Sequence, residues 1–437
     1  MGFRARQRHP LRIRALCTRA VLLPALLLAA CAPSLQPMGP VVTVPQITEA
    51  AYVAPDGTAL PLRRWLPETG RPEAVILALH GFNDYSNAFD GTGKWLSARG
   101  AAVYAYDQRG FGQARRRGIW PGTDTLVADL EGAAQAVRKL HPGVPLFLLG
   151  ESMGGAVALA AVAGQVPPET VLPGPEPKAE VATTPGSGTP GTGTGAAGAT
   201  GIRALVDGII LSAPAVWSLD TMPFYQRWAL WLALNLVPGM HLTAPPELRI
   251  FPSDNIEMLR ALGRDPLVIK STRVDAVAGL TQLMSVALAA APRLPGRPPA
   301  LVLFGDNEQV IARKPVGMAL ASIPRTGNTV AVYPNGYHML LRDLQAEVVL
   351  RDILAWIRNP DAPLPSGADQ RTWSEKAPAP KQAPGQAPGQ APGLTPPGTG
   401  PVHPAAPQPV PPAIPRPASL PTAPDAAAPA SPRTAGG

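Results

Sequence analysis

The sequence predicts an α/β protein: a mostly parallel sheet flanked by helices, with a helical cap inserted between two late strands. Three observations carry this. Short runs of Val, Leu, Ile and Ala recur between stretches of helical periodicity, as expected of strands buried on both faces and joined by crossover helices. One run, ending at Leu149, passes through Gly150-Glu151-Ser152-Met153-Gly154-Gly155 straight into an Ala-rich helix. More than 80 residues separate the run ending at Ser212 from the one starting at Pro299, far more than a crossover needs, which places a cap at about 214–292.

In chain order, strands are expected at 58–65, 74–79, 101–106, 145–149, 208–212, 299–304 and 329–333. Most are near-continuous apolar runs, too short for helices and rich in Val, Leu and Ile. Helices are expected at 124–140, with Asp124 near its start, and at 344–357, a closing amphipathic segment. These elements make one domain at 45–358. A stretch at 167–200, rich in Pro, Gly, Thr and Ala, interrupts it and is expected to be an extruded surface loop. From 359 to 437 Pro, Ala, Gly and Gln dominate, with three successive Gln-Ala-Pro-Gly units at 382–393, so this segment reads as a disordered tail. The chain's 56 Pro and 43 Gly gather in this loop and tail, while its 46% apolar content excludes a wholly disordered protein.

The net charge of +8 suggests a nucleic-acid partner until its location is examined. Residues 1–30 hold six arginines and no acidic residue, leaving +2 for the rest, so no nucleic acid is expected. The apolar run at 21–30 is about ten residues, short of the roughly 20 a membrane span needs, and reads as part of a signal peptide at 1–30. Its end, Leu28-Ala29-Ala30-Cys31, resembles the lipobox of bacterial lipoproteins. The resemblance implies that Cys31 is acylated and becomes the mature first residue, tethering the protein to a membrane through a linker at 31–44. Ala32, where a retention signal would place Asp, then implies the outer membrane of a bacterial envelope, facing the periplasm. Cys17 leaves with the signal, so no intramolecular disulfide is expected.

Strand, tight turn and helix around Gly150-Glu151-Ser152-Met153-Gly154 form a nucleophile elbow, which lifts the Ser152 hydroxyl above the sheet at a helix N-terminus. A seryl nucleophile needs a base, and the base an orienting acid. Of six histidines, His9 lies in the signal, His403 in the tail, His141 at a helix end, His80 on an early strand and His241 in the cap. His338, which follows a late strand, is the candidate base. Between the strand at 299–304 and His338 stand two carboxylates, Asp306 and Glu308. Backbone N–H donors for an oxyanion are expected at Met153, after the nucleophile, and at Phe82, in the loop His80-Gly81-Phe82-Asn83-Asp84. Asp107-Gln108-Arg109-Gly110-Phe111-Gly112 reads as a hydrogen-bonded bracing turn, with no Lys-Ser/Thr to hold phosphate.

The set Leu79-His80-Gly81-Phe82, Asp107 to Gly112, Gly150 to Gly155, Asp265-Pro266 and Gly336-Tyr337-His338 resembles the monoacylglycerol lipase and lysophospholipase branch of α/β hydrolases, which also holds serine aminopeptidase-like members. The resemblance implies the α/β-hydrolase fold and the order nucleophile, acid, histidine. In that family the acid stands three residues beyond a glycine, which from Gly305 is Glu308 where Asp is usual, and Asp306 is the alternative. It implies hydrolysis of monoacyl lipid esters through an acyl-enzyme, without metal or organic cofactor. The apolar segment at 224–234 could line an acyl tunnel or touch a bilayer as a lid. Other readings are a general carboxylesterase, an amide or peptide hydrolase using the same triad, or an envelope scaffold acting through the Pro-rich tail.

Overall fold

The computed structural model describes residues 32–68, 70–164, 198–218, 221–243 and 250–375. The expected signal peptide, Cys31, nearly all of the 167–200 insertion and the chain beyond 375 lie outside the described residues. Among these, a nine-stranded sheet comprises β1 (Gln46–Ile47), β2 (Ala51–Val53), β3 (Ala59–Trp65), β4 (Ala74–Leu79), β5 (Ala101–Tyr106), β6 (Leu146–Glu151), β7 (Gly208–Ser212), β10 (Ala300–Gly305) and β11 (Asn328–Tyr333). A separate ribbon pairs β8 (His241–Leu242) with β9 (Thr272–Arg273). The order in the large sheet is β1-β2-β3-β5-β4-β6-β7-β10-β11. Pairing is antiparallel from β1 to β5 and parallel from there to β11.

Every expected strand is present within two residues of its expected bounds. The first two strands were not expected, because two or three residues are too few for alternation to register. β4 shows why the runs are continuous. Val75, Leu77 and Leu79 enter one core while Ala74, Ile76 and Ala78 enter the other.

Two helical layers cover the sheet. On one side lie α2 (Thr123–Leu140), α3 (Met153–Ala163), α4 (Gly198–Leu205), α7 (Val274–Ala290) and α8 (Arg313–Ser322); on the other lie α1 (Asp90–Ser97) and α9 (Ala346–Arg358). The central helix α3 is apolar all round because it touches β6, α2, α4 and α7 at once.

The stretch at 214–292 contains two kinds of structure. The cap is built by α5 (Phe224–Leu236), the β8–β9 ribbon and α6 (Ile256–Arg264). By contrast, α7 belongs to the helical layer, with Leu283, Ala287 and Ala290 fully buried near α3. Its apolar sequence would suit either place, so periodicity could not separate them.

Order also extends past both expected ends of the domain. The chain at 34–38, read as linker, is a strap: Ser34 N–H donates to Asp275 Oδ2 at 3.0 Å, Gln36 N–H to the Trp120 carbonyl at 2.9 Å and Met38 N–H to Thr125 Oγ1 at 3.1 Å. At the other end, residues 360–375 pack where a tail was expected. Leu364 and Ala368 are buried, Ser366 bonds Asp352, and Trp373 meets Phe304 edge-on beneath the Arg313 guanidinium. Isolated apolar residues among Pro and Gly carry no period, so composition hid this docking.

Candidate active site

The elbow joins β6 to α3 through Ser152, whose φ of 53° lies in the left-handed region that residues with a Cβ seldom adopt. Backbone bonds hold the strain: Ser152 N–H donates to the Ser212 carbonyl at 3.0 Å, and its own carbonyl accepts from Ala156 and Ala215. The glycines are steric requirements. A Cβ on Gly154 would stand 2.1 Å from the Leu79 carbonyl oxygen, and one on Gly150 2.6 Å from the Gly154 backbone. Three further residues with positive φ, Asn83, Ala213 and Asn335, also follow strands of the parallel sheet, after β4, β7 and β11. Strained backbone thus gathers at the carboxyl ends of the strands, where open α/β sheets bind ligands.

His338 follows β11, and Glu308 follows β10. Glu308 Oε2 lies 2.7 Å from His338 Nδ1, and both side chains are buried. The other carboxylate oxygen accepts the N–H groups of Val310 at 2.7 Å and Ile311 at 3.0 Å. Burial pushes the Glu308 carboxyl up, but the His338 charge and these hydrogen bonds outweigh it and hold the group below its usual range. Burial pushes the His338 ring down, but Glu308, with Glu151 farther off, raises it above the usual 6.5. Nδ1 is taken by the carboxylate, so the nitrogen left for proton transfer is Nε2. The two loops meet because Gly305 has no side chain: a Cβ there would lie 2.3 Å from Gly336. Asp306 turns elsewhere, its carbonyl and carboxylate accepting from Arg313. Among the described residues, Ser152 Oγ makes no hydrogen bond to His338; the structure joins the imidazole to Glu308 and ties the serine's loop in through the preceding residue, Glu151.

Arg342 makes that connection. Its guanidinium donates to Glu151 at 2.6 Å and to Asp84 at 2.7 Å, tying the histidine loop to the elbow and to the loop after β4. No motif marks this arginine, and sequence reasoning missed it. Asp343 beside it accepts from Ser253 Oγ and Tyr337 N–H, and burial pushes its carboxyl up to about 7.

The loop after β4 runs beside the nucleophile. A Cβ on Gly81 would touch Ser152 Cβ at 3.4 Å, which sets the next residue, Phe82, along the same edge. Neither the Phe82 nor the Met153 N–H has a backbone or side-chain partner among the described residues. Met153 opens α3, whose N-terminal dipole favours negative charge. His80 buttresses the loop. Its Nε2 accepts the Gln108 N–H at 2.9 Å, Nδ1 faces the Gly81 carbonyl, and burial holds the ring below its usual pKa. The Asp107 to Gly112 turn is braced as well: Asp107 accepts from Ser86 and Gln113 N–H, and the buried Arg109 pairs with Asp56 and Asp129. An apolar recess lined by Phe82, Phe111, Trp120, Ile269 and Ala276 opens next to this loop. The cap is clamped to it through Asn83 Nδ2 to Thr272 Oγ1 and through Tyr85 Oη to Asp265 Oδ2, both 2.7 Å.

Comparison with known proteins bears on the fold and the family. Residues 70–180 and 191–345 match the family described as serine aminopeptidase, S33. The chain is 27% identical over 308 residues to a monoglyceride lipase of Rattus norvegicus, an alignment spanning 69% of this chain and 88% of the relative. It is 24% identical over 329 residues to a monoacylglycerol lipase of Mycolicibacterium smegmatis, spanning 71% and 96%. Among solved structures, the monoacylglycerol lipase of Paleococcus ferrophilus superposes with a TM-score of 0.50 at 19% identity, over 68% of this chain and 98% of that one. A soluble variant of the monoglyceride lipase of Saccharomyces cerevisiae, in complex with a substrate analog, gives 0.53 at 20% identity, over 73% and 97%. These superpositions show a shared α/β-hydrolase fold, and the family match, which spans more than half of the residues, shows that the chain belongs to the serine aminopeptidase S33 family of α/β hydrolases, on its monoacylglycerol lipase-like branch.

Proposed function

We propose that this hydrolase cleaves carboxylic esters of monoacyl lipids, monoacylglycerols first and lysophospholipids second, through an acyl-enzyme on Ser152. The observation that carries the reading is the buried Glu308–His338 pair at 2.7 Å, held by Arg342 against an elbow with a strained serine. His338 Nε2 takes the Ser152 proton as Oγ attacks the ester carbonyl, while Glu308 accepts from Nδ1–H and stabilises the imidazolium. The oxyanion of the tetrahedral intermediate receives the N–H groups of Met153 and Phe82. His338 protonates the leaving alcohol and then activates the water that releases the fatty acid. A lipid anchor on Cys31 would hold the enzyme at the bacterial envelope membrane that supplies such esters.

The test is a panel of monoacylglycerols, lysophospholipids, short esters and aminoacyl amides. Monoacyl esters should give the highest kcat/KM, and Ser152→Ala should lower kcat by about 10⁶, as loss of the serine does in subtilisin. A panel dominated by aminoacyl amides would contradict the reading.

A further inference from the structure

Charge is unevenly spread over the carboxyl edge of the sheet. Outside residues 1–30 the chain carries a net charge of only +2, yet the loop after β5 sets Arg115, Arg116 and Arg117 in a row, all exposed. Arg116 holds a φ of 53°, a left-handed conformation that a residue with a Cβ seldom adopts. The cap adds Arg264 and Lys270, also exposed. Arg117 Nη1 donates to the Pro266 carbonyl at 3.2 Å, and Lys270 Nζ to the carbonyls of Asp265 at 2.5 Å and Val268 at 3.0 Å, so both loops gather their cations about one stretch of the cap. Arg63 joins them from β3, its guanidinium 5.7 Å from the centre of the Tyr85 ring, whose hydroxyl bonds Asp265. Among the described residues, none of these six cations pairs with a carboxylate. Asp265, the acid in their midst, is taken by Tyr85 Oη and the Leu267 N–H.

This cationic collar borders the site. Gly81 stands against Ser152, and the two residues from Gly81 to Asn83 span at most about 7 Å. The Asn83 carbonyl then accepts the N–H of Ile269, the neighbour of Lys270, at 2.9 Å. Gly118, which follows Arg117, and Ile269 both line the recess that Phe82 also walls. The cations therefore stand beside the loop after β4, about one headgroup's length from the nucleophile. Arginine forks match phosphate oxygens in pairs, and like charges that no acid of the protein offsets attract an anion from solution.

We propose that the collar binds the phosphate of a lysophospholipid whose ester lies at Ser152, so that among lysophospholipids those with a net negative headgroup are cleaved in preference to zwitterionic ones. The proposal rests on the ester reading of the site and names the headgroup which that site takes. Contacts made equally in the ground and transition states lower KM and leave kcat alone, so the collar acts through KM.

The experiment compares the full chain with Arg115→Gln/Arg116→Gln. The control is Arg325→Gln, an exposed arginine just before β11, at the opposite edge of the sheet. Substrates are lysophosphatidylglycerol, lysophosphatidylcholine and monoacylglycerol, each below its micelle concentration. Losing two exposed ion contacts should raise KM for lysophosphatidylglycerol about fivefold to tenfold with kcat unchanged. Lysophosphatidylcholine, whose choline offsets its phosphate, and monoacylglycerol should be unaffected, as should every substrate in the control. Salt at about 1 M, where the screening length is about 3 Å, should raise the wild-type KM for lysophosphatidylglycerol and change that of the double variant little. Equal losses for all three substrates, or none for lysophosphatidylglycerol, would overturn the headgroup site. So would a loss of monoacylglycerol turnover seen only in anionic vesicles, which would make the collar a contact for bilayer phosphates and not for the substrate's own. Binding of the uncleavable ether analogue of lysophosphatidylglycerol separates this proposal from the ester reading. Weaker binding by the double variant, with no monoacyl ester hydrolysed by the wild type, would support the collar and count against the ester reading alone. Equal binding by wild type and double variant would overturn the collar.

Discussion

Ser152 and His338 were readable as residues because each sits in a local pattern: glycines around a strand-to-helix turn, and a histidine after the last strand. The acid was readable through the resemblance, whose spacing from Gly305 favours Glu308 over Asp306. Asp306 and Glu308 are two residues apart on one loop, and residue type favours the Asp. The loop's path decides: the Asp306 carboxylate meets Arg313, while the longer Glu308 side chain bonds His338 and two backbone N–H groups. Glu308→Gln should lower kcat by about 10⁴, as loss of the orienting carboxylate does in a convergent triad on another fold, while Asp306→Asn, which loses one ion pair, should cost under about 1 kcal/mol of stability. The pH profile gives a second check. A base must be unprotonated, and Glu308 raises the His338 pKa, so the acid limb of kcat/KM should lie above 6.5 in the wild type. In Glu308→Gln burial dominates, and the limb should move downward.

At the scale of elements, two tight junctions set the site. The first is β6 against α3, where Gly154 lets the helix reach the Leu79 carbonyl. Gly154→Ala should destabilise by at least about 1–3 kcal/mol, the usual cost of overpacking, whereas Gly91→Ala in α1, where a Cβ meets nothing within 4 Å, should be neutral or stabilising. Urea unfolding of the two variants measures the difference. The second junction is the buried Arg109 between Asp56 and Asp129. Arg109→Ala leaves two carboxylates without a cation and should cost about 3–5 kcal/mol. The sequence marked this turn as a brace, but neither partner could be named, because both come from distant segments. Arg342 escaped notice for the same reason: its partners, Asp84 and Glu151, are about 190 residues or more away in the chain.

For the whole molecule, the six near-continuous apolar strands and the interrupted crossover made the fold legible, since strands buried on both faces leave a continuous signal. What packs as single residues left none. Leu364, Ala368 and Trp373 dock a segment that composition assigns to the tail, and the 34–38 strap docks one assigned to a linker. Truncation after Asn359 should therefore lower the thermal midpoint and cost at least about 2 kcal/mol, the burial of one Leu-sized side chain. The central claim is that Ser152 is a nucleophile activated by the Glu308–His338 pair. It is tested most directly by reaction with a fluorophosphonate followed by mass mapping of the modified peptide. The account predicts a single adduct on Ser152 in the wild type, much slower labelling of His338→Ala, and no labelling of Ser152→Ala. An adduct on another residue, or wild-type labelling of Ser152→Ala, would contradict it.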